Sequence, residues 1–215
     1  MLMSEQTYLS VSAKPGRVLR SAVIYMAAGW SGFFVMGVEL LGGRLLSPFF
    51  GSSIFVWGGI IAVFMACLSV GYLAGGQLSM KAPSLPMLGA LLMGAGVLGL
   101  PIIAVGTPVL EWLSYTVPDP RYGSLAGALL LFGATTVVSG MISPYAVRLL
   151  IADLNQSGRS AGLLYFVSTL GSAAGTIMTS FYFVLYLELD SIILSMIGVS
   201  LTLGCLLMLF GRRQA

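Results

Sequence analysis

Histidine is absent, and Lys, Arg, Asp and Glu together make up only 8% of the 215 residues. Without histidine the chain lacks the side chain that titrates nearest neutral pH and the commonest metal ligand. The seven acids are not clustered, so nothing in the pattern offers placed groups for acid–base work or a metal ligand set. No catalytic residue, metal or cofactor is expected, and the chain is read as non-enzymatic. Cysteine is also scarce: Cys67 and Cys205 both fall in apolar runs and lack the close spacing of a metal or redox motif. Both are expected to be small buried hydrophobes. Long polar stretches are missing too, which leaves no room for a separate soluble domain.

What remains is apolar. Hydrophobic residues make up 58% of the chain and the mean hydropathy is +1.00, far from a soluble composition of about 25% charged residues. Runs of about 20 apolar residues, each enough to cross a bilayer, fall at Val18–Leu41, Ile54–Leu78, Leu85–Val105, Ser124–Ile142, Gly162–Tyr186 and Ile192–Phe210. The reading is an all-α polytopic membrane protein of six transmembrane helices. Residues 1–17 form an N-terminal segment, 18–210 the membrane domain and 211–215 a tail. The first run is longer than the core of a signal peptide and no small-residue cleavage pattern follows it, so it is expected to be retained.

The net charge of +3 acts here through its distribution, not as a nucleic-acid footprint. Lys14, Arg17, Arg20, Lys81, Arg148, Arg159, Arg212 and Arg213 fall on one side of the six runs. Glu111, Asp119, Arg121, Glu188 and Asp190 fall on the other. The excess of Lys and Arg predicts that both termini are cytoplasmic, in a bacterial inner membrane. The gap from Gly106 to Gly123 is the least clearly bounded, and its Trp112 and Tyr115 fit an interfacial belt.

Glycine is frequent at 28 residues. Gly71/Gly75, Gly123/Gly127 and Gly171/Gly175 are small-xxx-small pairs that let helices approach closely, within one bundle or across a dimer face. Pro48, Pro83, Pro86, Pro108, Pro118, Pro120 and Pro144 are placed in or beside gaps, whereas Pro101 should kink or end the third helix. Ser31-Gly32 with Arg44–Leu46, and Ser139-Gly140 with Arg148–Leu150, hint at a three-plus-three internal repeat, although the two spacings differ.

Among charged residues, Glu39 and Arg44 stand at membrane depth. They read either as a structural ion pair that fixes the first hairpin or as a cavity site, with Glu39 holding a cation or proton. Trp57, Tyr72, Tyr165 and Tyr182 are candidates for an aromatic box around an organic cation. Arg148, Asp153 and Arg159 read as topology determinants, or as contacts to lipid phosphate or a partner. Gly158–Gly175 lacks the preceding strand and the spacing of a nucleotide fingerprint, so a phosphate-binding loop is excluded.

Four motifs carry a resemblance. They are Ser31-Gly32 with Glu39, Arg44, Leu46, Pro48, Phe50-Gly51, Ser53 and Trp57-Gly58; GYLAGG at Gly71–Gly76; G.ISPYAVRLL at Gly140–Leu150; and G.LYFVSTLGSAAGT at Gly162–Thr176. Together they resemble the membrane domain of the fused-MFS spermidine synthase family, over about three quarters of the chain. GYLAGGQLSMK is similar, in degraded form, to the loop after the second helix of major facilitator transporters. The resemblance implies a half major-facilitator-like bundle and a link to polyamines. It also implies a soluble aminopropyltransferase as partner, because only GRRQA follows Phe210 and no synthase domain is present to catalyse aminopropyl transfer. Tyr186–Asp190, YLELD, departs from the Pro and Gly expected there.

Two non-enzymatic functions follow. In one, the module binds or transports a small organic cation such as a polyamine, alone, as a homodimer or with a soluble synthase, and Glu39 is the counter-ion. In the other it is an accessory subunit of a larger membrane complex, with glycine faces as contact surface. The lipid bilayer surrounds it in both, and no nucleic acid is involved.

Overall fold

A computed structural model describes residues 15–81, 83–151 and 157–212. Among them the chain is all-helical, with six helices long and apolar enough to cross a membrane. The first span is helix α1 (Pro15–Phe50) and the second is α2 (Ile54–Ser79). The third is broken into α3 (Leu85–Val97) and α4 (Leu100–Thr116), and the fourth is α5 (Pro120–Leu150). The fifth runs from α6 (Ser157–Met178) through a π turn (Thr179–Phe183) into α7 (Val184–Tyr186), and the sixth is α8 (Leu189–Arg212). An even number of crossings puts Pro15 and Arg212 at one end of the bundle, called here the terminal end. Leu19 of α1 and Phe210 of α8 indeed line one apolar slot there.

Several boundaries differ from the sequence reading, each for a local reason. Helix α1 continues nine residues past Leu41 and carries Pro48 inside it. The first hairpin therefore turns at Gly51–Ser53, where Gly51 takes a positive φ of 79° that other residues resist. The third span breaks at Leu98-Gly99, with Pro101 in the first turn of the new helix, where its missing N–H costs nothing. Beyond it Gly106–Thr116, expected as a gap, continues α4 with exposed Trp112 and Tyr115 near its end. Pro144 is accommodated inside α5. At the start of α5, Asp119 caps the helix by accepting the Arg121 N–H at 2.9 Å.

The spans pack as three principal pairs: α1 with α6, α2 with α5, and α3 with α8. Glycines set the distances. A Cβ on Gly71 would meet the Val137 carbonyl of α5, and one on Gly171 would meet the Gly29 carbonyl of α1. Gly75 lies against Met141 and Gly175 against Phe33. Gly140 lies on Leu68 and Gly32 on Ser168. A shift of 100 residues thus takes α2 onto α6, while a shift of 108 takes α1 onto α5, and these three glycine contacts are reproduced. The α3–α8 seam obeys the same exchange with a shift of 115, since Gly89 and Gly204 face each other and Gly96–Ser200 maps onto Leu85–Gly211.

The six spans are therefore two inverted three-helix repeats around a pseudo-twofold axis, because α1 and α5 cross in opposite directions. Ser31 and Ser139, equivalent under the 108 shift, meet at that axis, the Ser31 hydroxyl donating to the Ser139 carbonyl at 3.3 Å. The Ser-Gly recurrence in the sequence marks true equivalents. The Arg-Leu-Leu recurrence does not: 44 and 148 lie 104 apart, one helical turn out of register.

Apolar contact fills two cores. The far-end core centres on Leu41, Leu46, Ile60, Phe64 and Phe132, with the Phe64 and Phe132 rings 5.7 Å apart. The terminal-end core centres on Ile24, Leu88, Leu92, Tyr145 and Ala146. Besides the Ser31–Ser139 bond, other polar ties cross between spans and remove otherwise unpaired groups from an apolar setting. Trp30 donates to the Ser200 hydroxyl at 2.8 Å, Thr135 to the Ala95 carbonyl at 2.6 Å, and the Ser84 N–H to the Tyr145 hydroxyl at 2.9 Å. Cys67 is buried as expected, whereas Cys205 is exposed on α8.

Candidate functional site

The placement of Glu39 follows from what fixes the opposite side of α1. Trp30 bonds Ser200 of α8, and a Cβ on Gly37 would run into Met196 of the same helix. Glu39 lies nine residues beyond Trp30, about two and a half helical turns, so it faces away from α8. It shares a face with Gly42 and Gly43, one turn on. The space left by those two glycines admits the Phe132 ring of α5 and the Trp57 ring of α2. Glu39 itself is half-buried, one helical turn from the two glycines that these rings pack on.

Among the described residues no ion pair joins Glu39 to Arg44. The hairpin pair expected from the sequence is corrected because α1 does not turn between them: five residues of continuous helix set two side chains about 140° apart. Arg44 instead reaches the fifth span, where its Nη1 donates to the Val184 carbonyl at 3.1 Å. That carbonyl belongs to the last turn before the helix ends at Tyr186, where main-chain acceptors lack helical partners.

Arg44 lies in an open cleft of about 440 Å³ at the far end of the bundle, together with Ser47, Ser52, Trp57, Thr179 and Ser180. The π turn begins at Thr179, and insertions of this kind inside helices concentrate at functional sites. Thr179 is fully buried and its Oγ1 has no hydrogen-bond partner.

The four rings of the expected aromatic box do not converge. Trp57 lines the cleft, whereas Tyr72 stands fifteen residues further along α2, about 22 Å away by helical rise. Tyr72, Tyr165 and Tyr182 are each about half exposed. A single cage of four rings is therefore replaced by one ring, Trp57, which packs on Gly43 one turn beyond Glu39. Arg148 and Arg159 are exposed on either side of the α5–α6 connection, and Asp153 lies outside the described residues.

The glycine pairs serve inside one copy. Gly71, Gly75 and Gly175 are buried and Gly171 half-buried against neighbouring backbone. Gly123 and Gly127 are buried against the Phe50 ring and the Leu110 side chain. None offers a free face, so the expectation of a dimer or accessory contact on these stripes is corrected.

The cleft hydroxyls were missed because they sit in runs read only for apolarity. A signal was present in the fifth span: Tyr165, Thr169, Ser172, Thr176 and Ser180 recur at helical spacing. That span is also the least buried, with 11% of its most apolar window inside the bundle against 56% for α5. No family model, no curated protein and no solved structure matches the chain.

Proposed function

We propose that the protein is a non-enzymatic membrane module of half-transporter type that binds or moves a small organic cation, with Glu39 as the counter-ion and Trp57 beside it. One observation carries the reading. Glu39 is turned away from α8 and half-buried, one turn from glycines that seat the Phe132 and Trp57 rings, and its nearest base in sequence is engaged elsewhere. An acid kept at membrane depth without an ion pair is costly unless it has a substrate or a wet cavity to face. A desolvated ammonium gains from both the carboxylate and a ring face.

A polyamine is the ligand suggested by the resemblance to the membrane unit of fused-MFS spermidine synthases, and a soluble aminopropyltransferase is the corresponding partner. The inverted three-helix repeat supports kinship with transporter halves, in which such repeats enclose midplane sites. The charge bias supports cytoplasmic termini, in keeping with a bacterial inner membrane.

The test is binding and uptake of labelled spermidine by the protein in liposomes. Glu39→Gln should reduce both by at least about tenfold, the loss of one strong charge contact in a low-dielectric site, while leaving the thermal unfolding midpoint near that of the wild type. Wild-type binding that survives Glu39→Gln unchanged, or no wild-type binding at all, overturns the proposal.

A further inference from the structure

We infer that the cleft around Arg44 is a separate binding site for an oxyanion, a phosphate group carried by a lipid headgroup or by a small soluble molecule. It borders the Glu39 face at Gly43 and Trp57 but is centred on Arg44, about 140° round α1 from Glu39, and none of its lining residues is acidic. Arg44 is exposed and gives one N–H to the Val184 carbonyl. A guanidinium has five N–H donors in a planar fork, so the Val184 bond orients the group and leaves donors for a phosphate. Ser47 stands one turn beyond Arg44 on α1, and Ser52, Thr179 and Ser180 add hydroxyls from the first hairpin and the π turn.

Thr179 is the second, independent indication. Several hydroxyls elsewhere in the spans donate within their own helices, Ser69 to Met65, Thr176 to Ser172 and Thr202 to Gly198, and the buried Ser31 and Thr135 donate across spans. Thr179 is fully buried and makes no such bond. Its equivalent in the other repeat, under the shift of 100, is Ser79, whose hydroxyl donates to the Gly76 carbonyl at 2.6 Å. The same position is closed in one half and open in the other, and it is open where a cation and three further hydroxyls share a cleft with it. A buried hydroxyl without a partner is costly; Thr179 Oγ1 packs toward Gly37 of α1, and rotation of its side chain into the cleft would let a bound oxyanion accept its proton.

The experiment uses the full chain in maltoside micelles and has two arms. Native mass spectrometry reads phospholipid retained after delipidation, and the fluorescence of Trp57 in the cleft wall reads titration with inorganic phosphate. Retained phospholipid alone identifies a headgroup site, and saturable phosphate binding identifies a soluble oxyanion site; either supports the shared chemistry. Arg44→Gln should weaken whichever binding is seen by about tenfold and Thr179→Val by about threefold. Arg44→Lys, which keeps the charge, should retain part of it, and Arg121→Gln at the same end of the bundle should change nothing. The inference is overturned if the wild type shows neither kind of binding. It is equally overturned if Arg44→Gln and Thr179→Val bind as the wild type does while Arg44→Gln only lowers thermal stability, because Arg44 then merely caps the fifth span. Loss of spermidine binding in Glu39→Gln bears on the other site and leaves this result unaffected.

Discussion

The two three-helix repeats agree where helices touch and disagree where polar groups stand. Gly71 and Gly171, Gly75 and Gly175, and Gly32 and Gly140 hold the same contacts in both halves. Glu39, by contrast, has Val147 as its equivalent, Trp30 has Val138, and Tyr165 has Met65. Close approach of backbones is set by geometry that both halves share, so it tolerates only glycine at the seams. Side chains facing the open side of the bundle are under no such constraint. The comparison separates scaffold from site: what is duplicated holds the bundle together, and what is single is where a ligand would be recognised.

The seam claim yields the largest expected effect. Gly71→Leu and Gly171→Leu each drive a branched side chain into a carbonyl of the neighbouring span. Overpacking of this kind costs about 1–3 kcal/mol even where side chains can yield, and backbone yields least. Both variants should fail to give monodisperse protein by size-exclusion chromatography. If one half tolerated the change and the other did not, the repeat would be a resemblance of shape without equal mechanical weight.

Much of the scaffold could be read from the sequence. Six spans, the break near Pro101 and the Ser31-Gly32 and Ser139-Gly140 recurrence follow from run length, backbone chemistry and repetition. The repeat itself was only hinted at because the residues facing the seam glycines differ between the halves: Gly29 answers to Val137 and Phe33 to Met141, and it is their backbone that makes the contact. The site was less legible. The length of α1 past Leu41 depended on Pro48 being accommodated near a helix end, where few main-chain bonds are lost. That single boundary decides whether Glu39 and Arg44 pair or part. Thr179 gave no local signal, since its importance lies in lacking a partner that Ser79 has.

Polar ties come next in size and also distinguish the halves. Trp30–Ser200 joins α1 to α8, while the equivalent positions, Val138 and Leu85, are apolar. Thr135–Ala95 joins α5 to α3, while the equivalents are Ala27 and Phe210. Each half thus leans on the other's third span by a different bond. Trp30→Phe and Thr135→Val should each lower stability by about 1 kcal/mol, measured by denaturant unfolding in mixed micelles. The double variant should be additive, because the bonds involve no common residue. Coupling beyond about 0.5 kcal/mol would show that the two ties act through the shared axis at Ser31 and Ser139.

The smallest effect separates two neighbours on one helix. A Cβ on Gly75 would run into the Met141 carbonyl, whereas one on Gly76 would have no atom within 4 Å. Replacing glycine by alanine restricts the unfolded chain and favours helix by up to about 1 kcal/mol wherever space allows. Gly76→Ala should therefore leave stability unchanged or raise it slightly, as should Gly58→Ala and Gly198→Ala, whose surroundings are equally open. Gly75→Ala should lower it, since backbone on α5 must move to admit one methyl group. Equal responses from Gly75 and Gly76 would mean that helix propensity, not contact between α2 and α5, governs the glycine-rich stretch. The equivalence of α2 with α6 would then lose its physical basis, because it rests on glycines that no methyl can replace.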